Sequence, residues 1–160
     1  MNDNFLVVFL ADGLLLPIIL GAAAALIYFV PNNKKFEIYG RMILAGLTAL
    51  LIAKLMAAIY QPSTARPFEL LGLDAGASYL DNPGFPSDHA VFATTIFYAV
   101  WYGVRRRWVT VAFAASVLLV CLGRILALVH TPLDVVGGII AASIGALWYL
   151  DGATRGSRKK

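Results

Sequence analysis

The stretch "AFAASVLLVCLGRILALVHTPLDVVGGIIAAS", residues 112–143, decides the fold class. It holds two apolar runs separated by the polar junction "HTPLD". Pro132 disfavours helix at the preceding residue and suits the first position of a new helix. The junction therefore predicts that His130 ends one helix and that a second helix begins with Thr131 as N-cap and Asp134 at its third position. Thr131 and Asp134 are also typical of a simple capping box, which needs no further function.

The rest of the chain is equally apolar. Of its 160 residues, 60% are hydrophobic and 14% are charged, whereas soluble domains have roughly 25% charged residues. Apolar stretches lie near residues 5–30, 39–60, 88–104, 108–130 and 132–150. A spanning helix needs about 20 apolar residues. We therefore expect an all-α, polytopic membrane helix bundle with about five transmembrane helices, forming one domain over residues 1–160.

The first apolar stretch is interrupted by Asp12, Gly13 and Pro17. This pattern predicts a short N-terminal interfacial helix before a span from about Leu14 to Val30. We expect Asp12 to lie at the interface, because a carboxylate at the membrane midplane is costly.

Ten of the 13 basic residues fall in three groups that five spans would place on one side of the membrane. Short cytoplasmic loops carry an excess of Lys and Arg, so we expect an extracytoplasmic N-terminus and a cytoplasmic C-terminus in the cell membrane. These cations then contact anionic lipid, and no nucleic-acid partner is implied. The three groups are Lys34, Lys35 and Arg41; Arg105, Arg106 and Arg107; and Arg155, Arg158, Lys159 and Lys160.

The remaining cations are Lys54, Arg66 and Arg124. The predicted topology gathers Arg66, both histidines and Asp134 at the outer face. Arg124 precedes the junction by six residues, about 9 Å along a helix. An arginine inside the membrane indicates a functional site and requires an anionic partner.

The segment "PSDH", residues 86–89, begins another helix at the same face. Ser87 and Asp88 are typical of an ordinary helix start, but the free N–H groups of such a start also bind anions. Two arginines and these amides would hold a phosphate. One imidazole could attack phosphorus, and the other could protonate the leaving oxygen. No carboxylate cluster suited to Mg²⁺ is evident, and two histidines make a poor zinc site, so we expect phosphoryl transfer without a metal or cofactor.

These segments resemble the type 2 phosphatidic acid phosphatase superfamily, whose motifs are K-x6-R-P, P-S-G-H and S-R-x5-H-x3-D. The chain has "RP" at 66–67, "PSDH" at 86–89 and "GRILALVHTPLD" at 123–134, within a motif-bearing part of about residues 39–150. The resemblance implies that His130 is a nucleophile forming a phosphohistidine, oriented by Asp134, and that His89 is the general acid. It also implies three phosphate ligands: Arg66, Arg124 and Ser87.

Three positions depart from the family motifs. Ile59 stands in place of the first-motif lysine, and the nearest candidate, Lys54, lies about 7.5 Å further down the helix. It either reaches the site with its long side chain or packs elsewhere. Gly123 replaces the serine of the third motif. Asp88 replaces the glycine of the second, a form similar to that of undecaprenyl pyrophosphate phosphatases of the bacitracin-resistance type.

The sequence thus predicts an integral membrane lipid phosphatase whose active site faces outward and whose substrate is undecaprenyl diphosphate. A phosphatidic acid or phosphatidylglycerophosphate phosphatase is the alternative with the same chemistry. A non-catalytic membrane protein that binds lipid phosphates is the alternative of another class. The small residues Gly137, Gly138, Ala141, Ala142 and Gly145 predict close helix packing, which a single bundle and a dimer explain equally well.

Overall fold

The computed structural model describes residues 5–63, 65–82 and 84–150, and these ranges contain helices and loops without strands. The predicted all-α class is confirmed. The basic tail residues Arg155, Arg158, Lys159 and Lys160 lie outside the described residues. The helices are α1 (Phe5–Val8), α2 (Leu15–Phe29), α3 (Lys35–Ile59), α4 (Pro67–Leu70), α5 (Asp88–Val104), α6 (Arg107–Leu126) and α7 (Pro132–Gly145).

The N-terminal helical segment is bent where the sequence predicts a break. A π-helical turn, Phe9–Gly13, joins α1 to α2, and the axis changes direction by 41° between Phe5–Gly13 and Leu15–Phe29. This bend turns the first segment across the end of the bundle, against the last turns of α6.

Among the residues that the structure describes, three helical segments have the length and composition to cross a membrane: Asn32–Ile59, Arg107–Leu126 and Pro132–Tyr149. The bent N-terminal pair would make a fourth span. Helix α5 has 17 residues, about 25 Å at 1.5 Å per residue, slightly less than the hydrocarbon thickness of about 30 Å. A helical membrane bundle is confirmed, and the count of five spans stays a prediction.

The small residues of α7 let it pack closely between α3 and α5. A Cβ atom on Gly138 would lie 2.7 Å from the carbonyl oxygen of Ser87, at the start of α5. On the other side, Gly145 lies against Ala45 and Ala49 of α3. Packing within one chain therefore accounts for these residues, and they carry no argument for a dimer.

The end of α6 differs from the predicted one. The helix ends at Leu126, so His130 lies in a turn and does not end the helix. Leu128 takes a left-handed conformation with φ 58°. Two carbonyls beyond the end of α6 accept hydrogen bonds from the loop that follows α3. Phe68 N donates to Leu128 O at 3.0 Å, and Gly76 N donates to Ala127 O at 3.0 Å. Arg124 is consequently in the last turn of α6 rather than a turn and a half below its end.

The described charged groups separate to opposite ends of the bundle. Lys34, Arg41, Arg105 and Arg106 line one cavity of about 360 Å³ between the α2–α3 and α5–α6 connections. The α6–α7 turn, the start of α5 and the 60–87 loop lie at the other end, which carries both histidines.

Candidate functional site

A cavity of about 290 Å³ lies at the histidine end of the bundle. Five of the eight predicted site residues line it: Arg66, Asp88, His89, Arg124 and His130. Two others, Ser87 and Asp134, are buried where α5 and α7 begin. Ser87 N donates to Asp134 O at 2.9 Å, which fixes the two helix starts against each other. The eighth, Lys54, does not line this cavity.

The predicted capping box at the start of α7 is present, and it also reaches the imidazole. Thr131 N donates to Asp134 Oδ2 at 2.7 Å, and Asp134 N donates to Thr131 Oγ1 at 3.2 Å. The same Oδ2 lies 3.6 Å from His130 Nδ1, within ion-pair reach but longer than a hydrogen bond. The capping and functional interpretations of Asp134 are therefore compatible, since the cap holds the carboxylate opposite the ring.

His130 is 5% exposed, and its Nδ1 has no hydrogen-bond partner among the described residues. Burial lowers the pKa of the His130 imidazole from its ordinary value, and the facing Asp134 carboxylate opposes this only in part. The two arginines lower this pKa further by repulsion. The ring is therefore neutral at neutral pH, which is the form able to act as a nucleophile.

Arg66 is held by the loops that surround it. Its Nη1 donates to Val129 O at 2.6 Å, and its Nη2 donates to Leu80 O at 2.9 Å and Asn82 Oδ1 at 2.8 Å. Gly84 has φ 91°, and a Cβ atom there would lie 3.2 Å from Nη1. The glycine is needed both for this conformation and for the close approach of the guanidinium.

Arg124 is 1% exposed and is paired with Asp12. Its Nη1 donates to Asp12 Oδ1 at 2.5 Å, and its Nη2 donates to Ser78 O at 2.7 Å. The anionic partner that a buried arginine requires is thus Asp12, which sequence reasoning assigned only to the interface. The available signal was the presence of two opposite charges in apolar segments, each of which needs a partner.

The start of α5 carries two further charge contacts. His89 Nε2 lies 3.6 Å from Asp12 Oδ1. Lys54 Nζ lies 3.6 Å from Asp88 Oδ1, and both side chains are well exposed. Lys54 therefore points toward the α5 start, as a side chain reaching up from α3 would. Ser87 is at the N-cap position of α5, yet its side chain makes no capping bond, and its Oγ is buried without a hydrogen-bond partner among the described residues.

The site retains donors for a tetrahedral oxyanion. A guanidinium has five N–H donors; Arg66 directs three to the protein and Arg124 directs two. Five N–H donors remain between them. Within the described ranges, no group of three or more His, Cys, Asp or Glu side chains comes together as a metal site.

A second groove, of about 650 Å³, adjoins this cavity between α3 and α5. Asp88 and His89 line both. The remainder of the groove is mostly apolar and includes Leu47, Leu50 and Phe92. A polar cavity that opens onto an apolar groove suits an amphiphile with an anionic head.

The chain is similar to known proteins. A protein-family model, the PAP2 superfamily, matches residues 35–156. The chain is also 26% identical over 149 residues to the bacitracin transport permease protein BcrC of Bacillus licheniformis, covering 91% of this chain and 69% of that protein. No solved structure gives a significant match. All eight predicted site residues lie inside the family-matched range, whereas α1, α2 and Asp12 lie before it.

Proposed function

The chain belongs to the PAP2 superfamily, and on this basis we propose that it is an integral membrane lipid phosphatase that cleaves undecaprenyl diphosphate to undecaprenyl phosphate and inorganic phosphate. Membership of this family supports the general activity, which is phosphatase chemistry on a membrane lipid. One observation carries the assignment of the site: His130 with its facing Asp134, His89 and two buried arginines surround one cavity.

The reaction proceeds in two steps. Because Nδ1 of His130 faces Asp134, Nε2 attacks the terminal phosphorus, and the bond from phosphorus to the leaving oxygen breaks. The His89 imidazolium gives its proton to that oxygen. In the second step His89 takes a proton from water, whose oxygen attacks the phosphohistidine and releases inorganic phosphate.

The phosphate is held by Arg66, Arg124 and the Ser87 hydroxyl. The free guanidinium N–H donors stabilise the equatorial oxygens, whose charge is best neutralised by fixed donors in a site with little water. Both arginines are already oriented by backbone carbonyls, so little reorganisation is needed when the phosphate enters.

The substrate assignment draws on three features. The apolar groove beside His89 suits part of a long lipid tail, the rest of which would stay in the bilayer. The "FPSDH" form at Asp88 resembles that of bacitracin-resistance-type undecaprenyl pyrophosphate phosphatases. The relative's name also refers to bacitracin. Lys54, paired with Asp88, supplies a cation beside the groove for the second phosphoryl group of a diphosphate.

We place the active site on the extracytoplasmic side. Lys34, Arg41, Arg105 and Arg106 line a cavity at the opposite end of the bundle, and cytoplasmic loops carry such cations. A cysteine introduced at Asp74 in a Cys121→Ala background should react with an impermeant maleimide in intact cells. Reaction only after the cells are broken would reverse this orientation.

The central test measures phosphate release by purified protein from undecaprenyl diphosphate, phosphatidic acid and phosphatidylglycerophosphate, with His130→Ala as the inactive control. The proposal expects the highest kcat/KM for the diphosphate. A tenfold preference for phosphatidic acid would replace the substrate assignment by the alternative lipid phosphatase. Binding of lipid phosphates without release from any of them would indicate the non-catalytic protein.

A further inference from the structure

Asp12 occupies a fixed position beside the cavity. Its Oδ1 accepts from Arg124 Nη1 at 2.5 Å, and its Oδ2 accepts from Ser78 N at 2.8 Å. Each oxygen is thereby anchored to a different element, α6 and the 60–87 loop. The third contact of the carboxylate is His89 Nε2, 3.6 Å from Oδ1.

The two imidazoles of the site have matching surroundings. His130 faces Asp134 at 3.6 Å, and His89 faces Asp12 at the same distance. In each pair the carboxylate is fixed by other donors, the Thr131 amide in one case and Arg124 with the Ser78 amide in the other. A carboxylate fixed in this way favours one orientation of the facing ring.

Gly123 explains how Asp12 comes so close. A Cβ atom at this position would lie 2.6 Å from Ala11 N and 2.6 Å from the Leu10 carbonyl carbon. The N-terminal backbone therefore crosses α6 in direct contact with Gly123, one residue before Arg124. The family motif has serine at this position, and a serine side chain would not fit beside the crossing segment.

We propose that Asp12 is a positioning residue for the general acid: its carboxylate, anchored by Arg124 and the Ser78 amide, orients His89 toward the leaving oxygen. This inference rests on the proposed function. It adds to it a residue from outside the family-matched range, since that range begins at residue 35. In this chain Gly123 lacks the hydroxyl of the motif serine, and its small size leaves room for the segment that carries Asp12.

The proposal has a chemical signature that a purely structural ion pair lacks. An alkoxide leaving group needs a proton in the transition state, whereas a nitrophenolate leaves without one. Loss of a positioned general acid should therefore slow an alkyl phosphate far more than an activated aryl phosphate. General acids contribute roughly 10²- to 10⁴-fold to rates, so a misoriented acid should lose at least about tenfold.

The experiment compares dodecyl phosphate with a nitrophenyl phosphate carrying the same dodecyl tail, using full-length protein in detergent. Asp12→Asn should lower kcat at least about tenfold for the alkyl substrate and less than about threefold for the aryl one. Asp12→Glu should recover part of the alkyl rate. Asp74→Asn, which changes an exposed carboxylate in the 60–87 loop, should leave both rates unchanged. His89→Ala with Asp12→Asn should be no slower on the alkyl substrate than His89→Ala alone.

A second variant tests the crossing segment. Gly123→Ser restores the family residue but displaces the N-terminal backbone, so it should reproduce the selective loss on the alkyl substrate. An equal loss on both substrates in Asp12→Asn would make the residue merely structural and overturn the proposal. Wild-type rates in Asp12→Asn would also overturn the proposal. A raised kcat/KM for both substrates would overturn it too, because it would show that the Asp12 carboxylate only occupies the phosphate site. Failure of the wild-type protein to release phosphate from undecaprenyl diphosphate, assayed alongside, would instead refute the proposed function.

Discussion

Replacing Asp134 by asparagine should separate catalysis from helix capping. The carboxylate lies 3.6 Å from His130 Nδ1, and a full positive charge on the ring would interact with it by about 4–5 kcal/mol at an effective dielectric constant of about 20. The ring is only partly charged in the transition state. Half of that interaction, about 2 kcal/mol, corresponds to a loss of about 30-fold in kcat at roughly 1.4 kcal/mol per tenfold.

Stability should change little in the same variant. Asparagine at this third helical position retains an oxygen that accepts from Thr131 N, as Asp134 Oδ2 does at 2.7 Å. It loses only the favourable interaction of a negative charge with the helix start, about 0.3–1 kcal/mol. Thr131→Ala is the matched control. It removes the hydroxyl that accepts from Asp134 N and should cost about 1 kcal/mol of stability, with a much smaller effect on kcat.

Both variants are assayed by phosphate release and by thermal unfolding in detergent. The expected result is a slow, stable Asp134→Asn protein and a faster, less stable Thr131→Ala protein. Wild-type kcat in Asp134→Asn, or a loss of activity that simply follows the loss of stability in both variants, would refute the orienting role.

Further predictions concern pH, metal and substrate. Burial lowers the pKa of His130, so its neutral, nucleophilic form persists below about pH 6.5. The acid limb of the kcat/KM profile should therefore lie below that pH. In Asp134→Asn the limb should shift to still lower pH, because the Asp134 carboxylate raises the pKa of His130 and the asparagine does not. An acid limb above pH 7 would contradict this. Because the phosphate is neutralised by arginines, activity should survive EDTA, whereas complete loss restored by Mg²⁺ would show that the charge neutralisation is misassigned. Asp88→Gly removes the carboxylate that holds Lys54 at the start of α5, so Lys54 is no longer positioned for the second phosphoryl group, and the preference for undecaprenyl diphosphate over phosphatidic acid should narrow. An unchanged ratio of the two kcat/KM values would show that Asp88 takes no part in substrate selection.

The sequence was most informative where local rules apply. The start of α7 was predicted because Pro132 restricts the backbone and because Thr131 and Asp134 form a local cap. The start of α5 was predicted because Ser87 and Asp88 are typical of a helix start. The end of α6 was misjudged, since it depends on amides of a distant loop that bind the carbonyls of Ala127 and Leu128.

Contacts across the chain are not specified by any local sequence pattern. Asp12 and Arg124 are separated by 112 residues, and only a bend in the first segment brings them together. The carbonyls that hold Arg66 belong to a loop and a turn whose conformations no local pattern specifies. The sequence shows that Gly123 replaces the motif serine. The structure explains the replacement, because the backbone of Ala11 passes directly beside Gly123.

A covalent phosphohistidine distinguishes the proposed mechanism from direct attack by water, and it can be trapped. Protein mixed with undecaprenyl diphosphate labelled in its terminal phosphate is quenched in base within the first turnover, and the labelled peptide is identified by mass spectrometry. We expect phosphohistidine at His130, which is stable in base and lost in acid, and no label in His130→Ala. Label on another residue, or full turnover by His130→Ala, would contradict it.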